Sequence, residues 1–398
     1  MANPSAEADS RAQAARLSAG AVDVLPEGRL AQQLAEGRPL RVKLGIDPTA
    51  PDIHLGHVVV LDKLREFQDE GHVVVLIVGD FTARVGDPSG QSAERPVLSA
   101  DEIEANAATF QEQAFKVLDE GRTEVRRNGE WLDMGSAALF GLLRRFTIAR
   151  LLERDDFERR MAERRPISAL ELLYPVLQGY DSVAVEADVE LGGTDQRFNL
   201  LFARDVQDAL GRPAQSVMTL PILPGTDGTQ RMSKSLGNYV AVTDPPEEIF
   251  GKLMSVPDDA MGEYWRLLLG EEQPAGHPGE AKREMARRLV GRFWGEDAAR
   301  GAEDRFDQVH VRREVPDDVR GVHVRPGPDG DVHLPLLIAT EFETTTSEAR
   351  RLLAQGGVRL DGETLSAERL DLPLDELSGK ILQVGKRRFV KVLGAPRS

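Results

Sequence analysis

The chain has no cysteine among its 398 residues, which excludes disulfides, Cys-ligated zinc, iron–sulfur clusters and thiol nucleophiles. It has no apolar run of about 18 residues, the length a helix needs to cross a bilayer. Met1 to Arg16 contains Ala and Glu but lacks the apolar centre of a signal peptide. These absences set the expectation of a soluble cytoplasmic protein. Net positive charge is missing as well. The formal charge is −16, which weighs against overall attraction to nucleic acid. The average hides one basic stretch: Lys380, Lys386, Arg387, Arg388 and Lys391 follow one another with no acidic residue between. Such a stretch is either a solvated strand edge or a contact for phosphate. What is present is ordinary for a globular chain, 41% hydrophobic and 29% charged, and its length allows two or three domains.

Leu40 to Ile46 (LRVKLGI) reads as a strand ending in the turn signal Asp47-Pro48-Thr49. Leu55 to Glu70 places apolar residues at helical spacing, with Gly71 as the stop. His72 to Val78 (HVVVLIV) is a continuous β-branched run, as in a strand buried on both faces. Together these predict a βαβ unit, whose ligands bind beyond the carboxyl ends of the strands. Residues 101–180 read mostly as helices, Val183 to Leu191 as a returning strand, Asp195 to Leu210 as a helix and Ser216 to Leu223 as another strand. The polar stretch from Pro224 to Asn238 reads as a loop. After Pro245-Pro246 the pattern is helical to about Arg300, then charged and Pro/Gly-rich through Gly330, as in a linker. From about Leu334 a last module follows, with Ser347 as cap of a helix that stops at Gly356-Gly357.

Two short motifs carry the strongest chemical signal. His54-Leu55-Gly56-His57 opens the first predicted helix, where free backbone N–H groups and the positive dipole end suit phosphate. The two imidazoles, three residues apart, share a face and can donate to phosphate oxygens, and Gly56 admits an adenine ring close to the backbone. The metal alternative is weaker, because a zinc helix uses His at i and i+4 with Glu between. Arg231-Met232-Ser233-Lys234-Ser235 lies in the glycine-flanked loop, and Lys234 is a point charge on a flexible stem able to follow phosphate oxygens. A loop of this kind completes an electrostatic site by closing on a nucleotide. A third group, Tyr174, Gln178 and Asp181, lines one helical face, either as the wall of a pocket or as an exposed polar stripe. Asp195 and Gln196 follow Gly192-Gly193-Thr194. They suit a ribose and a substrate carboxylate, although Asp195 is equally a helix N-cap.

Together these residues resemble the class I aminoacyl-tRNA synthetases, and within them the bacterial tyrosyl family. GIDPTAPDIHLGH, VGDPSG, YPVLQGYD, LGGTDQ and RMSKS occur in the family's order, and SEARRLLAQGGVRLDGE resembles an S4-type RNA-binding domain. The resemblance runs from about Val42 to Leu393. It implies an α/β architecture: a Rossmann-like parallel-sheet catalytic domain over residues 1–238, an α-helical anticodon-binding domain with linker over 239–330, and a small α+β S4-like domain over 331–398. It implies tyrosine–tRNA ligation, with tyrosine activated by ATP to tyrosyl-adenylate and then passed to the tRNA. His54, His57, Lys234 and Arg231 would act on the pyrophosphate side. Asp47, Thr49, Gly56, Gly193, Asp195, Met232 and Ser233 would bind ATP. Asp87, Tyr174, Gln178 and Gln196 would hold the amino-acid backbone, and Asp181 would accept the phenolic hydroxyl. Arg350, Arg351, Lys386, Arg387 and Arg388 would contact RNA. ATP would come as its Mg²⁺ complex, with no resident metal and no tightly bound cofactor. The partners implied are L-tyrosine, tRNA(Tyr) and a second subunit in a homodimer, with no membrane.

This chain departs from the family pattern at three places. Lys43 stands where many members have a tyrosine near the phenol, Arg231 replaces the first lysine of KMSKS, and Gln91 and Ser92 stand where lysines are frequent, leaving Arg95 as that segment's main cation. The nearest alternative is a tryptophan-specific relative, against which Asp181 and the S4-like tail speak. A non-catalytic RNA-binding protein would have lost His54, His57 or Lys234, and none is lost.

Overall fold

The computed structural model describes residues 4–48, 51–87, 99–312, 319–366, 369–385 and 388–394. Thr49, Gln91, Ser92, Arg95, Lys386 and Arg387 lie outside the described residues. The chain divides into two units, Met1–Trp294 and Gly295–Ser398.

The first unit is built on six strands: β1 (Asp23–Leu25), β2 (Arg41–Ile46), β3 (Val73–Val78), β4 (Thr123–Arg127), β5 (Val189–Gly193) and β6 (Ser216–Leu220). Their order is β1-β6-β5-β2-β3-β4. All neighbours are parallel except the short β1, which runs antiparallel to β6. β2, the helix α1 (Leu55–Asp69) and β3 form the expected βαβ unit, with the two strands in register from Arg41↔Val73 to Ile46↔Val78. β3 is buried along nearly its whole length, which explains its unbroken apolar sequence. The chain order reverses at the β5–β2 seam. There only Val42↔Val189 and Lys43↔Glu190 are paired. Beyond them the strands part, and the crevice opens at this switch point.

Several details differ from expectation. Residues 101–180 are mostly helical, as the sequence predicts, but they also contain β4, which extends the sheet beside β3. Its sequence, TEVRR, is charged because it is an edge strand, with Glu124 clamped by both terminal nitrogens of Arg41 (2.8 and 2.7 Å). Val183 and Ala184 belong to the helix α2 (Tyr174–Ala184), not to a strand. Glu186, at φ 53, reverses the chain before β5 begins. The linker-like stretch before Gly330 contains the strand Gly321–Val322, which pairs with Arg388–Val392 in the second unit.

Helix α3 (Arg197–Ala209) packs against α2. The approach requires Gly179, where a Cβ would come within 2.6 Å of Val206 Cγ2. The helices Pro246–Ser255, Asp258–Leu269 and Pro278–Trp294 belong to the first unit. The last is tied to α1 by Arg292, which donates to Asp62 at 2.9 Å.

The second unit has a five-stranded sheet ordered Glu363–Thr364, Val358–Leu360, Ile381–Val384, Arg388–Val392 and Gly321–Val322. Ile338, Ala349, Leu353, Leu382 and Val390 are among the residues of its own core. Its helix Thr346–Ala354 is capped by Thr345, whose hydroxyl accepts from Glu348 N at 3.1 Å, not by Ser347. The helix stops at Gly356, at φ +67, as expected.

Candidate active site

A cleft of about 310 Å³ lies at the carboxyl ends of β2 and β5. It is lined by Asp47, His54, Gly56, His57, Asp87, Tyr174, Gln178, Asp181, Gly193, Asp195, Gln196, Arg231, Met232 and Ser233. Motifs far apart in the chain, from Asp47 to Ser233, therefore share one site. The wall also includes Thr82, at the carboxyl end of β3 where the strand topology places a site, and residues that sequence reasoning did not single out, among them Asn128 and Glu190.

His54 caps α1. Its Nδ1 accepts from Gly56 N at 3.2 Å, while His57 Nδ1 accepts from His54 N at 3.2 Å. A backbone N–H can only donate, so each Nδ1 is unprotonated and each neutral ring carries its proton on Nε2. The two rings lie 3.9 Å apart. Burial lowers both pKa values, to about 4 for His57 and well below the usual range for His54, where the neighbouring His57 adds to the effect. The helix start thus presents two neutral Nε2–H donors. Gly56 is required by this arrangement, because a Cβ there would meet the His54 ring at 3.0 Å.

The segment that follows the RMSKS loop is joined to this helix start by backbone pairing. Leu55 N donates to Val240 O and Val242 N to Ile53 O, and residues 240–242 are buried. Lys234 Nζ is paired with Asp52 at 2.8 Å and Arg231 with Asp195 at 3.1 Å; Arg231 and Asp195 line the cleft, whereas Lys234 and Asp52 are not among its lining residues. Asp195 caps neither its own short turn nor α3. Its carboxyl pKa is raised by burial and held back by Arg231.

Tyr174 and Asp181 are buried, so the polar face of α2 is a pocket wall, not an exposed stripe. Tyr174 donates its hydroxyl proton to Asp47 Oδ2 (2.9 Å), and Thr82 donates to Asp47 Oδ1 (2.6 Å). Burial, reinforced by Asp47 and Asp87, raises the Tyr174 pKa well above its ordinary value. Its oxygen therefore stays neutral and can accept. The amide of Gln196 is held between Asp87, to which it donates at 2.7 Å, and Asn199, from which it accepts at 2.9 Å. Arg154, almost fully buried, stands 3.7 Å behind Asp87.

At the closed end, Asp181 accepts from Trp131 Nε1 (2.8 Å) and from Asn128 Nδ2 (3.3 Å). Burial raises its pKa to about 7, against the opposing pull of the Lys43 charge and these two bonds. Asn128 Nδ2 also donates to Thr82 Oγ1 at 2.9 Å. A chain of hydrogen bonds thus connects Asp181 through Asn128 and Thr82 to Asp47. Asn128 and Trp131 follow the unforeseen strand β4, and no motif marks them. The polar pair Asn128-Gly129 after a charged strand was the one available signal.

Lys43 turns away from the cleft wall. Its ammonium lies 2.8 Å from Glu190 Oε1, both side chains being buried. In the second unit Arg350, Arg351 and Arg388 are exposed. Arg351 pairs with Glu348 at 2.5 Å, and Arg388 donates to Phe342 O at 3.2 Å.

Residues 35–310 match the family described as tRNA synthetases class I (W and Y). The tyrosine–tRNA ligase of Thermotoga maritima is 47% identical over 391 residues, covering 95% of this chain and 96% of the relative. That of Thiobacillus denitrificans is 48% identical over 386 residues, covering 94% and 97%. Among solved structures, the tyrosyl-tRNA synthetase from Archaeoglobus fulgidus, complexed with L-tyrosine, shares the fold at a TM-score of 0.60 and 24% identity. It covers 74% of this chain and 99% of its own. On matches of this length and identity, the chain belongs to the tyrosine–tRNA ligases of the class I tRNA synthetases.

Proposed function

We propose that the cleft joins tyrosine to ATP as follows. A carboxylate oxygen of tyrosine attacks the α-phosphate, the bond to the β-phosphate bridging oxygen breaks in line, and tyrosyl-adenylate and pyrophosphate form. A terminal ribose hydroxyl of tRNA(Tyr) then attacks the acyl carbon and AMP leaves. No protein nucleophile is needed; the work is positioning and charge stabilisation. ATP arrives as its Mg²⁺ complex, the metal held by phosphates and water as part of the substrate.

The observation that carries this reading is the pair of neutral Nε2–H donors at the start of α1, facing the same cleft as Asp181 and Gln178. His54 and His57 donate to the pyrophosphate side as charge builds there. Lys234 and Arg231 exchange Asp52 and Asp195 for phosphate oxygens when ATP enters, which frees Asp195 for the ribose. Asp47, Thr49, Gly56, Gly193, Met232 and Ser233 surround the nucleotide. Asp87, Tyr174 and Gln178 accept from the α-ammonium, and Gln196 reaches the carboxylate on leaving Asp87. Asp181 accepts the phenolic proton. Phenylalanine would leave that buried carboxyl without its partner, and tryptophan presents no hydroxyl to it.

The second unit contacts tRNA through Arg350, Arg351, Lys386, Arg387 and Arg388. The protein works as a cytoplasmic homodimer, and the segment 136–170 supports the dimer by exposing Phe140, Ile148, Met161 and Leu170, an apolar set suited to a partner surface. Among the described residues no helix is long and apolar enough to cross a membrane.

Amino-acid-dependent ATP–pyrophosphate exchange tests the chemistry. Exchange is expected with tyrosine and not with tryptophan or phenylalanine. Lys234→Ala should lower it by about a hundredfold or more while tyrosine binding holds. Exchange with another amino acid would move the specificity, and equal loss of tyrosine binding would remove Lys234 from the transition state.

A further inference from the structure

The Lys43–Glu190 pair is buried at the cleft wall, which Glu190 lines, 2.8 Å from charge to charge, and the reaction described above uses neither residue as a ligand. Buried ion pairs are weak sources of stability, so the hydrogen bonds around this one are informative. Lys43 Nζ donates to Ser182 Oγ (2.9 Å) and to the backbone oxygen of Gln178 (3.0 Å). Ser182, having accepted from the lysine, gives its own proton to Glu190 Oε2 at 3.0 Å, where Gln215 Nε2 also donates. Glu190 Oε1 is left for Lys43 and for Gln178 Nε2, at 3.2 Å. A carboxylate only accepts, so Gln178 must face it with its NH₂ end. The Gln178 carbonyl oxygen is thereby turned the other way. It is buried there and, among the described residues, accepts no hydrogen bond. An amide can turn by half a revolution with almost no change of shape, so its partners alone decide which end faces the cleft.

We infer that Lys43 and Glu190 are positioning residues that lock the Gln178 amide with its oxygen toward the cleft, ready to accept from the α-ammonium of the amino acid. This rests on the reading of the cleft as a tyrosine site. Lys43 balances the Glu190 charge and pins the α2 backbone at Gln178, and Glu190 sets the amide. A neutral side chain at position 190 loses this control. In a glutamine there, the oxygen would stay at the Oε2 position facing Gln215, which is itself held as a donor toward Leu200 O. Its NH₂ would face Gln178, and the Gln178 amide would turn its own NH₂ into the cleft, toward a cation.

Glu190→Gln alone would leave the buried Lys43 without its anion and so report on folding. The double variant Lys43→Met/Glu190→Gln removes both charges at similar volume. Binding of three ligands is measured on the full-length protein and on this variant: tyrosine, tyramine (no carboxylate) and desaminotyrosine (no ammonium). Tyrosine and tyramine should each weaken by about 10- to 100-fold, the scale of a lost hydrogen bond to a charged group, while desaminotyrosine should bind as before. Equal weakening of all three would make the pair a mere support of the pocket and overturn the inference, as would unchanged binding of all three. Wild-type protein that binds none of them would instead overturn the tyrosine reading itself.

Discussion

Asp181 shows how much one buried carboxyl decides. Its pKa of about 7 comes from burial, partly offset by Lys43, Trp131 and Asn128. The phenolic O–H of tyrosine is a donor, so it binds the ionised carboxyl better than the protonated one, and binding must in turn pull the pKa down. The sign follows: tyrosine affinity should rise with pH and level off once Asp181 is ionised. With a pKa of about 7, the ionised fraction climbs from about a tenth at pH 6 to about nine tenths at pH 8, so the tyrosine Kd should fall by about tenfold across that interval. Equilibrium dialysis at constant ionic strength measures it. Tighter binding at pH 6 would mean that a protonated Asp181 donates to the phenol oxygen. His54 and His57 add no titration in this range, because burial keeps both rings neutral well below it.

At the scale of the elements, the cleft depends on how closely α2 lies on α3. A Cβ at Gly179 would stand 2.6 Å from Val206 Cγ2 and 3.1 Å from the Ala203 backbone. Backbone cannot yield as a side-chain tip can. Gly179→Ala should therefore cost about 1–3 kcal/mol and lower the Tm by several degrees. It should also raise the KM for tyrosine, because α2 carries Tyr174, Gln178 and Asp181. Gly141→Ala, inside the helix Ser136–Leu143, meets nothing within 4 Å and should leave the KM unchanged and raise the Tm slightly in the same measurements. The β2–α1–β3 core was legible in the sequence because a strand buried on both faces has no choice but to be apolar throughout. β4 was not, since an edge strand of Thr, Glu, Val and Arg satisfies the same pattern as a solvated helix or loop. The motif residues of the cleft were legible because they are local strings. Lys43 was visible only as a departure, since its partner Glu190 is distant in sequence and meets it only once β2 and β5 are side by side. Asn128 and Trp131 were unread for the same reason: their meaning is the contact with Asp181, and nothing nearby in the chain announces it.

For the whole molecule, the boundary at Trp294 separates two units with separate cores. Among the described residues, a core cluster of the second runs from Val322 to Val392, and the residues that line the cleft all belong to the first. Activation and RNA contact should then be separable. A chain ending at Trp294 should keep tyrosine-dependent exchange at close to the full-length rate, since every group proposed to touch ATP or tyrosine is retained. It should lose tRNA affinity, and the way it loses it identifies the cause. Each arginine or lysine released from a phosphate removes about 0.7–0.9 from the slope of log K against log salt concentration. Arg350, Arg351 and Arg388 are all exposed, so their loss alone should flatten the slope by roughly two to three. A truncated protein that binds tRNA more weakly with an unchanged slope would mean that the second unit acts through shape and not through charge. One that loses exchange while still folded would mean that the second unit helps to build the cleft.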